Sequence, residues 1–500
     1  MRTKKALLNF LSDAIPFLII GLIGLVKLEL LQNQLGDDLA GINGLYVNYM
    51  VYLTALDGGL GAALLYRLYG PIASHDQSKI NAVLSGGRRI FNIIAMMMLI
   101  AGFILSFFVF YMVKLSPDST VTYRYMQVSF IFYLVSMTLP YFFIASKSMF
   151  EADQRKYVVN NVTQAFLIFK SIMEVVILNL GCGLIELYLL LGFCNLMTAL
   201  IIYFYSKRVY KDIDYRSKEK DYTMLKDVKN LLVNRIGTMV AYNIDGTLIG
   251  IFLGAYIVPF YQAYQYITDN LMTLIGKITY SVTAGVGEVL IRDQKRAYEI
   301  FDEFNCMSFF IANIVCVPLV YAINPFIDIW RHGRFDTTML MAVCFVAQLF
   351  YYVIRMPLIA YTNAGGLFRE TRKCSIIESV VNLTLSVILI QRFGIPGILV
   401  ATFISYIVSD YLIKPKIIYE RFFEAKVSTY YKKNAFFVLL MLAEGFLLQF
   451  IVPYLSFDGY LMWFISSCII FGINFVITCI VYMKTHQAMF MNRFIAMVKR

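Results

Sequence analysis

Residues 184–205 read LIELYLLLGFCNLMTALIIYFY, and residues 206–220, which follow directly, read SKRVYKDIDYRSKEK. The first stretch is long enough to cross a bilayer as a helix, since about 20 predominantly apolar residues span the hydrocarbon core. The second stretch is rich in Lys and Arg, which is typical of connections that remain on the cytoplasmic side. This pair of segments predicts a membrane helix that ends in the cytoplasm.

The same pattern recurs along the whole chain, which is 59% hydrophobic and has a mean hydropathy of +0.68. This composition excludes an ordinary soluble protein. We predict an all-α integral membrane protein. Its fourteen predicted membrane helices, called spans 1 to 14, lie at 6–31, 41–66, 90–113, 125–146, 158–180, 184–205, 231–254, 257–284, 306–329, 338–363, 375–391, 396–413, 435–454 and 460–483.

The basic residues predict the orientation of these spans. Of the 44 Lys and Arg residues, 33 lie in the N-terminus, in alternate connections and in the C-terminus. Because basic connections stay inside, both termini are predicted to be cytoplasmic. The formal charge of +12 follows from this topology and from contact with anionic lipid head groups, so we expect membrane lipids rather than nucleic acid as partners.

The longest polar segment, 207–230, is predicted to be a solvated cytoplasmic linker between two six-helix halves, 1–206 and 231–413. Residues 44–70 align without gaps onto 259–285, which predicts parallel repeats related by an axis along the membrane normal. After the repeats we expect a cytoplasmic basic loop (414–434), spans 13 and 14 (435–483) and an amphipathic cytoplasmic tail (484–500). The identical positions of the alignment are Tyr46/Tyr261, Tyr49/Tyr264, Leu56/Leu271, Gly61/Gly276 and Gly70/Gly285.

Patterns that carry catalysis or metal binding do not occur in the sequence. It has no Walker phosphate-binding loop, its eight cysteines form no C-x-x-C pair, and it has three histidines. Nucleophilic catalysis has no support from any Ser/His/Asp or Cys/His grouping. We therefore expect neither an enzyme nor a metal centre, and no bound cofactor apart from a coupling ion.

Basic residues inside apolar spans are candidates for substrate binding, because a charge near mid-bilayer costs at least ~2.5–3.5 kcal/mol. Lys170 falls near the middle of span 5, and Arg235, Lys277 and Arg355 fall in the inner halves of spans 7, 8 and 10. One interpretation is a cationic cavity for an anionic or phosphate-bearing substrate. The other is interhelical ion pairing; Lys170, for example, can pair with Glu174 one turn away.

Three acids are candidates for coupling to a Na⁺ or proton gradient. Asp245 and Asp269 fall near the middle of spans 7 and 8, and Asp57 precedes a run with glycine at positions 58, 59 and 61. Such a run permits either close helix packing or a break that exposes backbone carbonyls. Two interpretations of Asp57 are open. It binds an ion beside a helix break, or it is a paired carboxylate on a tightly packed surface.

Several short motifs occur in order along the chain. They are Leu56-Asp-Gly-Gly-Leu-Gly61, the loops Asp76-Gln-Ser-Lys79 and Asp293-Gln-Lys-Arg296, Asn324-Pro-Phe-Ile-Asp-Ile-Trp330, Gly366-Leu-Phe-Arg-Glu370, Ile376-Ile-Glu-Ser-Val-Val-Asn-Leu383 and Phe393-Gly-Ile-Pro-Gly397. Together they resemble the polysaccharide flippases (Wzx-type O-antigen, capsule or exopolysaccharide repeat-unit transporters) of the multidrug/oligosaccharidyl-lipid/polysaccharide exporter superfamily.

The resemblance implies a bacterial inner-membrane transporter that works by alternating access, driven by an ion gradient. Its substrate would be an undecaprenyl-diphosphate-linked oligosaccharide repeat unit, moved from the inner to the outer leaflet. Implied partners are this lipid-linked oligosaccharide and the glycan polymerase and glycosyltransferases of the same pathway. The resemblance assigns no catalytic residue.

Three alternatives stay open. A flippase for lipid-linked peptidoglycan precursor has nearly the same sequence chemistry. A drug or cation exporter of the same superfamily should present mainly acids to its cavity, whereas the inner-half charges here are mostly basic. An integral-membrane glycan polymerase or ligase needs an outer active site, and the outer connections of this chain are short.

Overall fold

The computed structural model describes residues 2–225, 244–292 and 294–485, and these are helical with short connections and without strands. Within this part of the chain, ten helical stretches are long and apolar enough to cross a membrane. Two of them, of 58 and 54 residues, contain two predicted spans each. The chain is therefore an all-helical, multi-pass membrane protein, as its hydropathy predicts.

The chain divides into two compact units, Met1–Pro259 and Phe260–Arg500. The helices of the first unit are α1 (Arg2–Thr54), α2 (Leu60–Ala73), α3 (Gln77–Ser106), α4 (Tyr123–Thr138), α5 (Ile144–Ala152), α6 (Lys156–Asn179), α7 (Leu184–Val209) and α8 (244–252). After α9 (Val258–Arg292), which begins at the boundary, the second unit contains α10 (Gln294–Trp330), α11 (Met339–Ile354), α12 (Met356–Ala364), α13 (Phe368–Tyr406), α14 (Lys414–Phe422), α15 (Val427–Gln449) and α16 (Gly459–Lys484).

Glycine and proline account for the breaks within these helices. Gly36 interrupts α1 with φ 82°, and Gly394 interrupts α13 with φ 61°. Glycine adopts this left-handed region without the steric penalty of a Cβ. Pro140 lies in the 3₁₀ turn between α4 and α5, and Pro357 lies in the first turn of α12. Backbone N–H groups in the first turn of a helix have no partner within the helix, so proline costs no helical hydrogen bond there.

Each unit shows a corresponding order of helix packing. In the first unit α3 packs against α4, and α4 packs against α7. In the second unit α10 packs against α11, and α11 packs against α13, where Tyr351 donates a hydrogen bond to the Tyr406 carbonyl at 3.1 Å. These helices hold spans 3, 4 and 6 of one predicted half and spans 9, 10 and 12 of the other.

The tyrosines matched by the sequence repeat are buried in their own units. Tyr46 donates to the Met126 carbonyl at 2.7 Å, and Tyr264 donates to Asn324 Oδ1 at 2.7 Å. Their repeat partners, Tyr49 and Tyr261, are also buried. A buried hydroxyl normally needs a hydrogen-bond partner, so Tyr46 and Tyr264 specify polar contacts within their cores as well as shape. The Tyr49 hydroxyl has no such partner among the described residues.

The described part of α8 packs against the second part of α1. A Cβ on Gly250 of α8 would lie 2.7 Å from the Leu45 side chain of α1. The 3₁₀ turn Ala255–Ile257, which follows α8, also packs on α1: a Cβ on Gly41 would lie 1.9 Å from the Ala255 carbonyl oxygen, so glycine permits this close approach. In the connection after α3, Lys114 donates its backbone N–H to the Gly250 carbonyl at 3.3 Å and its Nζ to the Phe252 carbonyl at 2.9 Å. These contacts group α8 with the first unit, although the sequence repeat places span 7 in the second half.

The first part of the predicted solvated linker is held against α3. Ser85 Oγ donates to the Ser217 carbonyl at 2.9 Å, and the Asp221 N–H donates to the Ala82 carbonyl at 3.0 Å. We call residues 210–225 the linker strap. Its backbone polar groups are thus partly satisfied by a membrane helix rather than by water alone.

The Asp76–Lys79 motif forms the N-terminal cap of α3. Asp76 Oδ1 accepts the Lys79 N–H at 3.1 Å, and Asp76 Oδ2 lies 2.8 Å from Lys79 Nζ. The contact with the Lys79 side chain, followed by the backbone hydrogen bond, holds the pKa of the Asp76 carboxyl below its ordinary value. The second copy of the motif begins at Asp293, which lies outside the described residues.

The predicted basic loop 414–434 is largely helical. It contains α14 and the first turns of α15. Tyr419 and Phe423 of this segment pack against Phe301 of α10, with ring centroids 5.8 and 5.3 Å apart. The segment therefore belongs to the aromatic core of the second unit, since aromatic rings contribute large buried apolar areas.

Candidate functional site

The structure places six of the seven candidate site residues, and Arg235 lies outside the described residues. Lys170, Asp57 and Asp245 lie in the first unit, and Arg355, Asp269 and Lys277 lie in the second. The candidates are therefore described unit by unit.

In the first unit, Lys170 belongs to a cluster of three charges. Glu174 lies 3.6 Å from Lys170 Nζ on the same helix, α6, and 2.9 Å from Lys27 Nζ on α1. Its side chain is buried, whereas the two lysine side chains keep 20% and 25% of their surface exposed. Ion pairing is therefore observed for Lys170, but two ammonium groups share one carboxylate, so the cluster keeps a partly exposed positive charge.

Asp57 lies at a break between α1 and α2. Gly58 and Gly59 have φ values of 55° and 78°, and Asp57 Oδ1 accepts the Gly59 N–H at 2.8 Å. Tyr141 donates to Asp57 Oδ2 at 3.4 Å. A Cβ added at Gly61 would meet no atom of the described residues within 4 Å, so the glycine run makes a helix break here rather than a close helix contact at Gly61.

Asp245 lies on α8 and is buried. Two residues later, Thr247 shares a hydrogen bond of 3.0 Å with Tyr52 of α1. Asp245 is close enough to Tyr52 to act on its hydroxyl electrostatically. This acid therefore lies at the α1–α8 contact, where the first unit holds the described part of span 7.

In the second unit, Arg355 lies at the break between α11 and α12 and is buried, with 7% of its surface exposed. Its guanidinium contacts three tyrosine rings, Tyr351, Tyr352 and Tyr406, at 5.8, 5.7 and 5.4 Å from their centroids. A guanidinium over aromatic faces gains cation–π attraction, which is stronger where water is excluded. The rings thus fix the position of this charge.

Arg355 pairs with an acid that the sequence did not single out. Its Nη1 lies 3.8 Å from Asp410 Oδ2, and Lys414 Nζ lies 2.6 Å from Asp410 Oδ1. Asp410 occupies a π-helical turn at the end of span 12. Such turns are rare and occur frequently at functional sites.

Glu378 of α13 is the fourth member of this cluster. It is 6% exposed and lies within electrostatic range of Asp410, Arg355 and Lys414. Its Oε1 has no hydrogen-bond partner among the described residues. Sequence reasoning could have found both acids, because Glu378 and Asp410 are charged residues inside the apolar spans 11 and 12. No sequence pattern indicates the π-helical turn.

Helix α9 carries two of the candidates on one face. Asp269, Thr273 and Lys277 are spaced four residues apart, so they lie above one another on the helix. Asp269 and Thr273 are exposed and Lys277 is partly buried. Exposed polar side chains within a membrane span normally face other protein or water rather than lipid. We call these three residues the α9 polar stripe.

The α9 polar stripe lies close to the Arg355 cluster. A Cβ on Gly276, next to Lys277, would lie 2.8 Å from the hydroxyl oxygen of Tyr352, whose ring flanks Arg355. The structure therefore brings two predicted basic residues, Lys277 and Arg355, into one region of the second unit.

Comparison of the sequence with protein-family models finds no match, and comparison with curated proteins finds none either. Solved structures do match. The lipid II flippase MurJ in an inward closed conformation matches with a TM-score of 0.66 and 16% identity over 94% of this chain and 99% of that chain.

Multidrug transporters match as well. A MATE family transporter of the MOP superfamily, inward-facing, matches with a TM-score of 0.63 and 15% identity over 81% of this chain and 98% of that chain. A mutant of the Vibrio cholerae MATE transporter VcmN has a TM-score of 0.56 and 13% identity over 84% of this chain and 98% of that chain. At such identities the likeness concerns the fold: this chain has the fold shared by MATE transporters and the MurJ flippase.

Proposed function

We propose that this chain is a transporter, not an enzyme, that moves an undecaprenyl-diphosphate-linked oligosaccharide across the bacterial inner membrane by alternating access. The repeat unit would pass from the cytoplasmic to the outer leaflet, driven by an ion gradient. The fold it shares with known transporters supports transport in general. The substrate class rests on the order of the sequence motifs and on the charged groups.

The observation that carries the proposal is the polar region of the second unit around Arg355 and the α9 polar stripe. In contact with lipid, exposed Asp269 and Thr273 with Lys277 on the same helix face would be unfavourable. A bound polar ligand would give these side chains polar partners and so offset the cost. Arg offers two parallel donors to a phosphate oxygen pair and Lys offers a point charge, so Arg355 and Lys277 suit a diphosphate.

The coupling ion is also part of the proposal. Asp57 lies at a helix break, Asp245 is buried beside α1, and Asp269 is exposed on the α9 polar stripe. A carboxylate at each of these positions is suited to bind Na⁺ or a proton while the lipid tail of the substrate stays in the bilayer. A polymerase and glycosyltransferases encoded nearby would support repeat-unit export.

The second candidate is export of a cationic drug, which the exposed Asp269 favours because a carboxylate attracts a cation. A flippase for lipid-linked peptidoglycan precursor is a variant of the main proposal. These possibilities differ in the chemistry of the cargo, so a direct transport measurement separates them.

The test is a vesicle assay with the purified full chain. Fluorescent undecaprenyl-diphosphate oligosaccharide, lipid-linked peptidoglycan precursor and a lipophilic cation dye are offered separately, under Na⁺ and under proton gradients. We expect movement of the first lipid, reduced at least tenfold in Lys277→Ala and Arg355→Ala. The control Arg421→Ala, an exposed base on α14, should behave like wild type. Transport of the dye alone would contradict the proposal and favour drug export.

A further inference from the structure

One acid is buried where α15 meets α10 and α16. Glu444 of α15 is 1% exposed, Thr478 and Asn474 of α16 are 0% exposed, and Asn313 of α10 is 3% exposed. Glu444 Oε2 lies 2.9 Å from the Thr478 hydroxyl oxygen. Four polar side chains thus lie together within apolar helices, two of which, α15 and α16, fall outside the twelve-span repeat.

The hydrogen bonds at this place are incomplete. Thr478 has one hydroxyl hydrogen, and its oxygen also lies 2.8 Å from the Asn474 carbonyl oxygen, while the Asn474 amide donates to the Asn313 backbone carbonyl at 3.2 Å. Glu444 Oε1, the side-chain oxygens of both asparagines and the Asn313 amide nitrogen have no hydrogen-bond partner within the described part of the chain. The Asn313 side chain is near enough to Glu444 to act on it as a hydrogen-bond partner. Its one amide group cannot serve all three oxygens, and buried acceptors without partners are costly and rare.

The negative charge of Glu444 is not balanced by a base in the described part of the chain. Helices α10, α14 and α16 pack against α15, and the side chains that act on Glu444 are Asn313 of α10 and Thr478 and Tyr482 of α16. All three are uncharged at neutral pH, and α14 contributes none. On α15 itself, Lys433 is paired with Asp302 at 2.7 Å.

The surroundings keep water away from this acid. Val317, Leu448 and Ile470 form a buried apolar cluster along the same three helices. Elsewhere on α15 and α16, Phe437 and Tyr482 stack with ring centroids 5.3 Å apart. A bare carboxylate in such a place is strongly unfavourable, because neither solvent nor any base that the structure describes compensates its charge.

We propose that Glu444, Thr478 and Asn313 form a binding site for one monovalent cation, either a proton or Na⁺. A proton on Glu444 Oε2 is donated to Thr478, whose own hydrogen then goes to the Asn474 carbonyl. A sodium ion is held instead by the carboxylate, hydroxyl and amide oxygens, which are ligands that hard cations prefer. Both supply the single positive charge that the carboxylate requires. The site does not depend on the proposed substrate.

The test uses the full chain in detergent and needs no transport. The thermal unfolding midpoint is measured from mildly acidic to mildly alkaline pH, in sodium chloride and in choline chloride of equal concentration. Glu444→Gln keeps the shape but removes the charge. Glu420→Gln is the matched control, since Glu420 is an exposed glutamate on α14. Infrared difference spectra between wild type and Glu444→Gln report whether the carboxyl carries a proton.

A midpoint that rises by a few degrees in Na⁺ for wild type and Glu420→Gln, but not for Glu444→Gln, identifies Na⁺ as the ligand. A Na⁺-independent difference between wild type and Glu444→Gln that grows as pH rises, with a protonated carboxyl band assigned to Glu444, identifies the proton. If the three proteins respond alike to Na⁺ and to pH, the site does not exist. Each outcome leaves the proposed transport function untouched.

Discussion

The guanidinium of Arg355 lies 3.8 Å from the carboxylate of Asp410, so one ion pair joins spans 10 and 12 inside the second unit. Asp410 is shared with Lys414 at 2.6 Å, while Arg355 is also enclosed by tyrosine rings. The pair therefore has two possible roles, stabilising the unit and presenting a fixed positive charge to a ligand. Mutations can separate the two roles.

We expect Arg355→Ala to lower the free energy of unfolding by on the order of 3 kcal/mol, because it leaves Asp410 buried with one cation fewer. Arg355→Ala combined with Asp410→Asn should recover part of this stability, because it removes the excess of two buried acids, Asp410 and Glu378, over the one remaining base, Lys414. If Arg355 also binds the substrate, the double variant should remain inactive. Thermal unfolding and the vesicle assay measure the two effects. An active double variant would leave Arg355 a purely structural role.

For Lys170, too, a structural role can be separated from a role in substrate binding. When Lys170 is removed, Glu174 keeps Lys27 as a partner at 2.9 Å. We expect Lys170→Met to change stability by less than about 1 kcal/mol, since Lys170 is partly exposed and lies 3.6 Å from the carboxylate. Glu174→Gln should destabilise the unit more, because two ammonium groups then lie together without an acid. A transport defect in Lys170→Met at unchanged stability would indicate contact with the substrate, and normal transport would exclude Lys170 from binding.

Gly41 tests the contact between α1 and the 3₁₀ turn Ala255–Ile257, which follows α8. Gly41→Ala places a Cβ 1.9 Å from the Ala255 carbonyl oxygen, so α1 and this turn must separate. Overpacking of this kind costs about 1–3 kcal/mol. Gly61→Ala is the control, because no atom in the described part of the chain lies within 4 Å of its added Cβ. Thermal midpoints should therefore fall for Gly41→Ala and stay the same or rise for Gly61→Ala. Equal midpoints for both variants would argue against the close contact.

Gly86 tests the linker strap. Gly86→Ala places a Cβ 2.1 Å from the Asp221 carbonyl oxygen, so we expect residues 210–225 to detach from α3. Limited trypsin digestion, with cleavage sites mapped by mass spectrometry, should then cut at Lys211 and Lys218 faster than in wild type. Gly472→Ala, where an added Cβ has no neighbour within 4 Å, should digest like wild type. Unchanged cleavage in Gly86→Ala would show that the strap is not held there.

Sequence patterns predicted the membrane helices well, because the tendency of a segment to enter the bilayer depends on its own composition. Thirteen of the fourteen predicted spans coincide with described helices, and most of span 7 lies outside the described residues. The structure adds contacts to the predicted linker and basic loop that the sequence pattern did not indicate. Both are polar in composition, but Asp221 and Tyr419 pack on neighbouring helices, and such contacts leave no periodic signal.

In the candidate site, too, some features were predictable from the sequence and others only from the structure. Counting charges within spans found Arg355, Lys277 and Lys170 as unusual residues. It did not reveal that Asp410 and Glu378 surround Arg355, that Lys27 reaches Glu174, or that Glu444 lies without a base in the described part of the chain. These relationships depend on which faces of distant helices meet, and that depends on helix rotation and on breaks such as the one at Gly394.

The sequence by itself thus determined the membrane class, the placement of most helices, the expected orientation and the set of unusual intramembrane charges. The physical reason is that hydrophobic transfer and the preference of Lys and Arg for the cytoplasmic side act on each segment separately. The tertiary structure alone decided which charges are paired and which buried acceptors lack a donor among the described residues. Those properties arise between helices, where a difference of one residue in packing register turns a side chain toward another neighbour.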